Sequence, residues 1–258
     1  MKYFSLLMAA LLLIVSSGCE EVPNLRCVQG DGARVVEVRE MDAFTRIELD
    51  MAADVYLHQD SDHRVEITAQ DNLMGDILTL QSNDRLTISN DRCIRQAKTI
   101  RIDLYLSELQ GLEINGSGDV YSETTFTTDA LDLAVQGSGG IELVAQVGQA
   151  YLDLGGSSNV VLKITADEIQ TELRGSGDLH LHGSTTLHQS EIRGSGNMRA
   201  FNLVSATTNL NLQGSGSAEV QVTESLTVKI LGSGDVFYKG QPSLSIEVDG
   251  SGTILDAN

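Results

Sequence analysis

Hydrophobic and polar residues alternate in short stretches along most of the chain from residue 33 onward. Two examples are "TRIELDMAADVYLHQ" at residues 45–59 and "KTIRIDLYL" at residues 98–106. A period of two residues is typical of a β-strand with one buried face. The chain lacks a sustained 3.6-residue pattern, and its glycines recur too often for long helices. The pattern therefore predicts an all-β protein.

A tripeptide, Gly-Ser-Gly, recurs through the second half of the chain, with one altered copy, Gly-Ser-Ser, at residues 156–158. Successive copies begin 18 to 21 residues apart. A near-constant interval indicates a repeat protein built from stacked coils. The glycines of these copies are Gly116, Gly118, Gly137, Gly139, Gly156, Gly175, Gly177, Gly194, Gly196, Gly214, Gly216, Gly232, Gly234, Gly250 and Gly252.

The hydrophobic residues around each copy lie at even offsets from its first glycine. Around Gly116, for example, Leu112 and Ile114 stand four and two positions before it, and Val120 stands four positions after it. This parity predicts that both glycines face inward and that the serine faces outward. We expect a sharp corner at each copy, because glycine has no Cβ to crowd a narrow interior and tolerates the backbone of a bend.

The repeat predicts a right-handed parallel β-helix-like solenoid with coils of 18–21 residues. Each coil is expected to contain a strand, a glycine corner, a second strand and a looser return, such as residues 124–130. Parallel strands stack about 4.8 Å apart, and right-handed connections are the default between them. An antiparallel β-sandwich also suits short alternating strands and remains the main structural alternative.

The sequence divides into four predicted segments. Residues Met51–Tyr56 align with Gly116–Tyr121, so a degenerate first corner is expected before the regular repeats begin. The segments are a signal peptide at 1–18, a tether at 19–32, irregular N-terminal β coils at 33–112 and regular Gly-Ser-Gly coils at 113–258.

The N-terminus has the features of an export signal. Lys2 precedes an apolar run, and the small residues Ser16, Ser17 and Gly18 stand directly before Cys19. This arrangement resembles the bacterial lipoprotein signal, in which the cysteine carries the lipid and becomes the first mature residue. The resemblance implies an exported protein that a lipid on Cys19 anchors to a membrane without spanning it. Glu20 after the cysteine resembles the class sorted to the outer membrane.

Three stretches, "FTRIELDMAADVYLHQ" (44–59), "RVEITAQDN" (64–72) and "RLTISN" (85–90), precede the serial corners. Together with those corners they resemble the bacterial family called putative auto-transporter adhesin, head GIN domain, over about residues 33–256. The resemblance implies a β-helical envelope protein without assigned catalytic residues. The name of the family implies adhesion.

Net charge and composition narrow the classes of partner that the protein is expected to bind. The formal net charge is −19, and removing residues 1–18 takes away Lys2 and no acidic residue. So acidic a surface repels phosphates and argues against nucleic acid. The chain is 4% aromatic and has no tryptophan, which disfavours a broad aromatic binding platform. For Cys27 and Cys93, a disulfide and two free thiols both remain open.

Two sets of residues are weak candidates for binding a metal. Polar residues after the corners, including Asp119, Asp178 and Asp235, form an outward column that suits calcium, although such residues also stabilise turns. His180 and His182 lie two residues apart on an outward strand face, with His188 in the following return. Histidines at that spacing suit a transition metal, but exposed histidines are the simpler interpretation.

We find no phosphate-binding loop, zinc motif or dinucleotide fingerprint, so the sequence predicts no cofactor. Arg174 and Arg193 stand in one column with Glu172 and Glu191 two residues earlier, which predicts an exposed charge ladder. The main hypothesis is a non-enzymatic, lipid-anchored envelope protein whose rod presents a polar face to a glycan, a host surface or an envelope protein. The alternative is a β-helical polysaccharide-active enzyme. The oligomeric state stays open.

Overall fold

A computed structural model describes residues 27–258. The predicted signal peptide at residues 1–18 and Cys19, the predicted lipidation site, lie outside the described residues. The chain winds into a β-solenoid of about 8 turns, as predicted. The strands are β1 Val28–Gln29, β2 Arg34–Glu40, β3 Arg46–Leu49, β4 Asp54–Gln59, β5 Arg64–Gln70, β6 Ile77–Ser82, β7 Arg85–Asn90, β8 Ile94–Arg95, β9 Arg101–Leu106, β10 Gly111–Ile114, β11 Asp119–Val135, β12 Gly140–Leu154, β13 Asn159–Leu173, β14 Asp178–Gly194, β15 Asn197–Gly214, β16 Ala218–Gly232, β17 Val236–Lys239, β18 Ser243–Gly250 and β19 Ile254–Asp256.

Each regular coil contributes to two faces of the rod. The pre-corner face contains the residues that lead into each Gly-Ser-Gly, and the post-corner face contains those that follow it. Neighbouring coils pair in parallel on both faces. The column two residues before the corner is apolar throughout and buried until the last coil. It consists of Ile114, Val135, Leu154, Leu173, Ile192, Leu212, Ile230 and Val248.

The corners stack directly on one another along one edge of the rod. The Ser138 N–H donates to the Gly116 carbonyl oxygen at 3.2 Å, and the same bond recurs from Ser215 to Gly194 at 2.9 Å. The serines are exposed, as the parity predicts. A Cβ on Gly137 would collide with the Gly116 carbonyl oxygen. The first glycine of a corner is therefore required mainly by the backbone of the preceding coil, and less by a narrow interior.

The predicted loose returns are strands. Residues 124–130 lie within β11, and β12 runs without a break through the equivalent position. In β12 the alternation of buried and exposed residues shifts by one position there. Val147 and Ala150 are three residues apart, and both face inward. One residue, Gly148, is skipped in the pairing at this point. Each coil therefore turns at a glycine corner and again at a bend inside a continuous strand.

The N-terminal region is only partly a solenoid. Strands β3 and β4 stack in parallel under β10 and β11, so Met51–Ala53 forms the expected first corner. However, three pairings in this region are antiparallel: β2 with β5, β6 with β7, and β5 with β9. A 3-10 helix, Asp71–Asp76, buries Leu73 and Met74 against the core. These elements cover one end of the rod.

A disulfide holds the start of the described chain against this region. Cys27 and Cys93 are bonded, with 4.4 Å between their Cα atoms. Beside the bond, the short strands β1 and β8 pair in parallel. The Asn72 side-chain amide donates to the Gln29 carbonyl at 2.8 Å. The last part of the predicted tether, from residue 27, is thus attached to the body of the protein.

Two stacks of cationic and aromatic groups lie on the post-corner face of this region. In the first stack, the Arg101 guanidinium lies 3.8 Å from the ring centre of Tyr56, which stacks on Tyr121 at 5.3 Å. The second stack consists of Arg64, Tyr105 and His58. Half of the six tyrosines therefore gather at one place, which the low aromatic content did not predict. Their ring faces contact one another and the arginines, so these rings brace the strands.

Within residues 27–258, no helix has the length and apolar character needed to cross a lipid bilayer.

Candidate functional site

A polar groove lies on the pre-corner face, across four successive coils. It encloses about 350 Å³. Side chains five and three residues before each corner line it, in two columns parallel to the rod. The first column is Gln170, Gln189, Asn209 and Thr227, and the second is Glu172, Glu191, Asn211 and Lys229.

The floor of the groove coincides with a break in the hydrophobic core. At the inward position four residues before the corner, β12 has Leu152 and β15 has Leu210, but the two coils between them have Thr171 and Ser190. All four residues are buried. Threonine and serine are shorter than leucine and carry hydroxyl groups, so polar residues interrupt the apolar column directly beneath the groove.

Polar groups continue into the interior below the groove. The Thr171 hydroxyl donates to the Ser190 oxygen at 2.8 Å and lies 3.4 Å from the His188 Nε2. His188 is 1% exposed, so its interpretation as a solvent-facing histidine in a return is wrong. Burial lowers the pKa of His188 to about 4, because the charged imidazolium would lose its hydration. The imidazole is therefore neutral at pH 7.

The acidic groups of the groove are held by neighbouring side chains. Glu191 pairs with Arg193 at 2.7 Å and accepts a bond from Gln213 at 3.1 Å. Glu172 lies 4.0 Å from Arg174, which also bonds Asp153. The predicted charge columns are thus present, and they form one border of the groove. These contacts fix the carboxylates in defined positions, with oxygens available to accept hydrogen bonds.

Asn211 differs from its neighbours in the groove. Its Oδ1 atom is buried and has no hydrogen-bond partner among the described residues. A buried polar atom without a partner costs about 1–3 kcal/mol relative to a satisfied one. Because this oxygen is inaccessible to solvent, a ligand lying in the groove does not contact it.

The aspartates predicted as a metal column bond from coil to coil. Asp119 accepts a hydrogen bond from the Gly140 N–H at 2.8 Å, and Asp235 accepts one from the Thr253 N–H at 2.9 Å. Asp178 accepts from the Asn197 side chain at 3.0 Å. These contacts fit the turn-stabilising role. Among residues 27–258, no three His, Cys, Asp or Glu side chains are grouped to hold a metal ion.

His180 and His182 both face outward on β14, as expected from their spacing. The neighbour of His180 is the Arg199 guanidinium, whose Nη1 lies 2.9 Å from the His180 Nε2. A guanidinium is a permanent cation and does not bind metal ions. The two histidines share one face of β14, and no third metal ligand from the described part of the chain is grouped with them.

A second, larger concavity of about 590 Å³ lies between the first corners and the loop that carries the disulfide. Lys98, Asp50 and Asp54 are among its lining residues. Its walls are one loop and two corners, so they do not repeat along the rod.

The fold and the groove define a class of protein: a long β-solenoid with an open, polar, side-chain-lined groove along one face. The chain belongs to the family described as putative auto-transporter adhesin, head GIN domain, whose model matches residues 43–242. Membership of this family suggests a location in the cell envelope or at the cell surface.

Solved structures share this fold over most of the chain. A putative adhesin from Parabacteroides distasonis has 24% identity and a TM-score of 0.85, with 90% of this chain and 100% of that chain covered. A putative lipid binding protein from the same organism has 25% identity and a TM-score of 0.84 at the same coverage. A putative adhesin from Bacteroides fragilis has 25% identity and a TM-score of 0.70, covering 89% of this chain and 99% of that one. No curated protein matches the sequence.

Proposed function

We propose that this protein is a non-enzymatic binding protein of the bacterial cell envelope, which adheres to a partner through the polar pre-corner face of its rod. The observation that supports the proposal is the groove, in which four coils repeat the same two polar columns. A rigid rod keeps such columns at a fixed spacing, so little conformational entropy is lost on binding. Membership of an adhesin family is consistent with this role.

In this proposal the protein is exported and attached to the outer membrane by lipid on Cys19. The small residues before Cys19 and the Glu20 after it support this placement. Seven residues separate Cys19 from Cys27, where the chain joins the folded body through the disulfide. So short a connection, at most about 3.5 Å per residue, keeps the rod close to the membrane.

The alternative of a polysaccharide-active enzyme has less support. Glycoside hydrolysis generally requires one carboxylic acid that is held protonated and a second carboxylate. The two glutamates of the groove, Glu172 and Glu191, each lie beside an arginine instead. Their arrangement suits hydrogen bonding to a ligand better than proton transfer.

Fractionation of cells tests the anchor. We expect Cys19→Ser to move the protein from the membrane fraction to the soluble fraction, and Cys27→Ser to leave it in the membrane fraction. Labelling of intact cells with an impermeant reagent then reports whether the rod faces outward. Membrane attachment of the Cys19→Ser protein would contradict lipid anchoring.

A retention assay tests the binding role. Purified full-length protein is exposed to immobilised envelope polysaccharides and to whole cells, and the release of new reducing ends is measured in parallel. We expect retention without release. Release of reducing ends that disappears in Glu191→Gln would show that the enzymatic alternative is correct.

A further inference from the structure

Resting on the proposed function, we propose that the groove binds a linear polysaccharide whose chain runs along the rod axis, across the coils. In this arrangement Asn211, in the second column, contacts the sugar chain. The first support is periodicity. Each coil places one side chain in each column of the groove, and parallel strands repeat about every 4.8 Å. A site that repeats along one axis fits a ligand that repeats along the same axis.

The chemistry of the lining favours hydroxyl groups. Most of the lining side chains are amides and carboxylates, which together offer donors and acceptors to a ligand rich in hydroxyls. Lys229, at one end, already pairs with Glu247 at 2.8 Å. The groove thus lacks the cluster of free cations that phosphate groups require. A neutral glycan suits it better than a polyanion.

An extended peptide fits the groove less well. Peptides commonly bind sheets by adding a strand to an open edge. The backbone beneath the groove is already paired on both sides, because β14 bonds β13 and β15 along its length. No aromatic residue and one leucine, Leu210, line the groove. Pockets for apolar side chains are therefore missing from its lining.

Asn211 lies within the proposed site. Its side chain stands in the second column between Glu191 and Lys229, so a substitution there changes the surface that a chain crossing the coils would contact. Because the groove has no aromatic platform, we expect each single chain to bind weakly. Many rods on one cell surface would bind a polysaccharide together through multivalency.

The test uses the full-length protein and oligosaccharides of one to six sugars from four neutral series: cello-, xylo-, malto- and chito-oligosaccharides. Calorimetry measures the Kd of each. For one series we expect affinity to rise with length up to about four sugars, one for each coil of the groove, and then to level off. Binding that does not depend on length would overturn the proposal.

Substitutions locate the site. We expect Asn211→Leu to weaken binding of the best oligosaccharide about tenfold or more, which corresponds to about 1.4 kcal/mol. Asn202→Leu, on the opposite face of the same coil, and Lys98→Ala, in the larger concavity, should leave the Kd unchanged. Thermal unfolding checks that all three variants are folded, and Asn211→Ser serves as a milder variant if Asn211→Leu is not.

The outcomes separate this inference from the proposed function. If wild-type protein retains polysaccharide or cells, and Asn211 variants retain them equally well, the adhesive role stands and the groove is not the site. If Lys98→Ala abolishes retention, the ligand binds in the larger concavity and this inference is wrong. If wild-type protein retains neither cells nor any glycan, the proposed function itself fails.

Discussion

Two regions of the same solenoid are stabilised in different ways. Up to residue 114, specific side chains connect strands of mixed direction: the Cys27–Cys93 bond, the stacks around Arg101 and Arg64, and the buried Leu73 of the 3-10 helix. From residue 115 onward, the backbone repeats itself. Each corner bonds the corner before it, and the same inward columns continue from coil to coil.

The two regions therefore differ in the substitutions that they tolerate. In the regular region the substitution of an exposed residue changes little, but the first glycine of each corner from Gly137 onward contacts the backbone of the neighbouring coil and cannot carry a Cβ without a clash. In the irregular region no single position repeats, so stability depends on a few contacts between distant residues.

A methyl group at one corner should have the largest effect. Gly214 has a φ of 143°, which L side chains rarely adopt, and a Cβ there would overlap the Gly194 carbonyl. Backbone strain and overpacking each cost about 1–3 kcal/mol. We therefore expect Gly214→Ala to lower the free energy of unfolding by about 4 kcal/mol in urea titrations.

The matched control is the next residue. Ser215 is exposed at the same corner. We expect Ser215→Ala to change the free energy of unfolding by less than about 0.5 kcal/mol. Equal effects of the two substitutions would refute the role assigned to the corner backbone.

Loss of the disulfide should have the next largest effect. The bond closes a loop between residues 66 positions apart, and the chain-entropy model gives a stabilisation of about 4 kcal/mol, which engineered bonds often fail to reach. We expect the free energy of unfolding of the double variant Cys27→Ser, Cys93→Ser to be about 3 kcal/mol lower than that of the wild type. Reductant should destabilise the wild type and leave the double variant unaffected. If reductant shifts neither protein, the bond does not stabilise the N-terminal region.

The smallest of the three effects concerns pH. His188 has a pKa of about 4 in the folded protein and about 6.5 when unfolded. The unfolded chain therefore binds a proton that the folded protein does not, and stability falls as the pH decreases from about 6.5 to about 4. This residue should account for a loss of about 2 kcal/mol between pH 7 and pH 5. We expect His188→Gln to reduce the pH dependence of unfolding by that amount.

His182 provides the comparison for this measurement, since it faces outward on the same strand. His182→Gln should keep the wild-type pH dependence. The same slope in the wild type and in His188→Gln would mean that other groups, chiefly the many carboxylates, cause the acid sensitivity.

The sequence predicted the regular region because each of its coils repeats one physical requirement. Even offsets around Gly116 and Gly214 placed the apolar columns inside, and the structure has them there. The parity rule also applies to His188, which stands six positions before Gly194. Six is also an even offset, so the same rule places this histidine inside.

The groove and the N-terminal end could not be derived in the same way. Thr171 and Ser190 were visible as departures from the apolar column, but their effect on the surface depends on how the whole sheet packs over them. The antiparallel pairing of β2 and β6 involves residues that do not repeat. Pairing between strands without a shared motif is decided by tertiary contacts, to which a single sequence gives no direct signal.

Because every corner is stacked on an equivalent corner, the natural unit of variation in this protein is one complete winding. Excision of residues 156–174, for instance, would seat Gly175 above Gly137 with both sheets still in register. A gain or loss of an incomplete winding would misalign every coil beyond it. The length of the rod is thus adjustable in whole steps, independently of the structure at the N-terminal end.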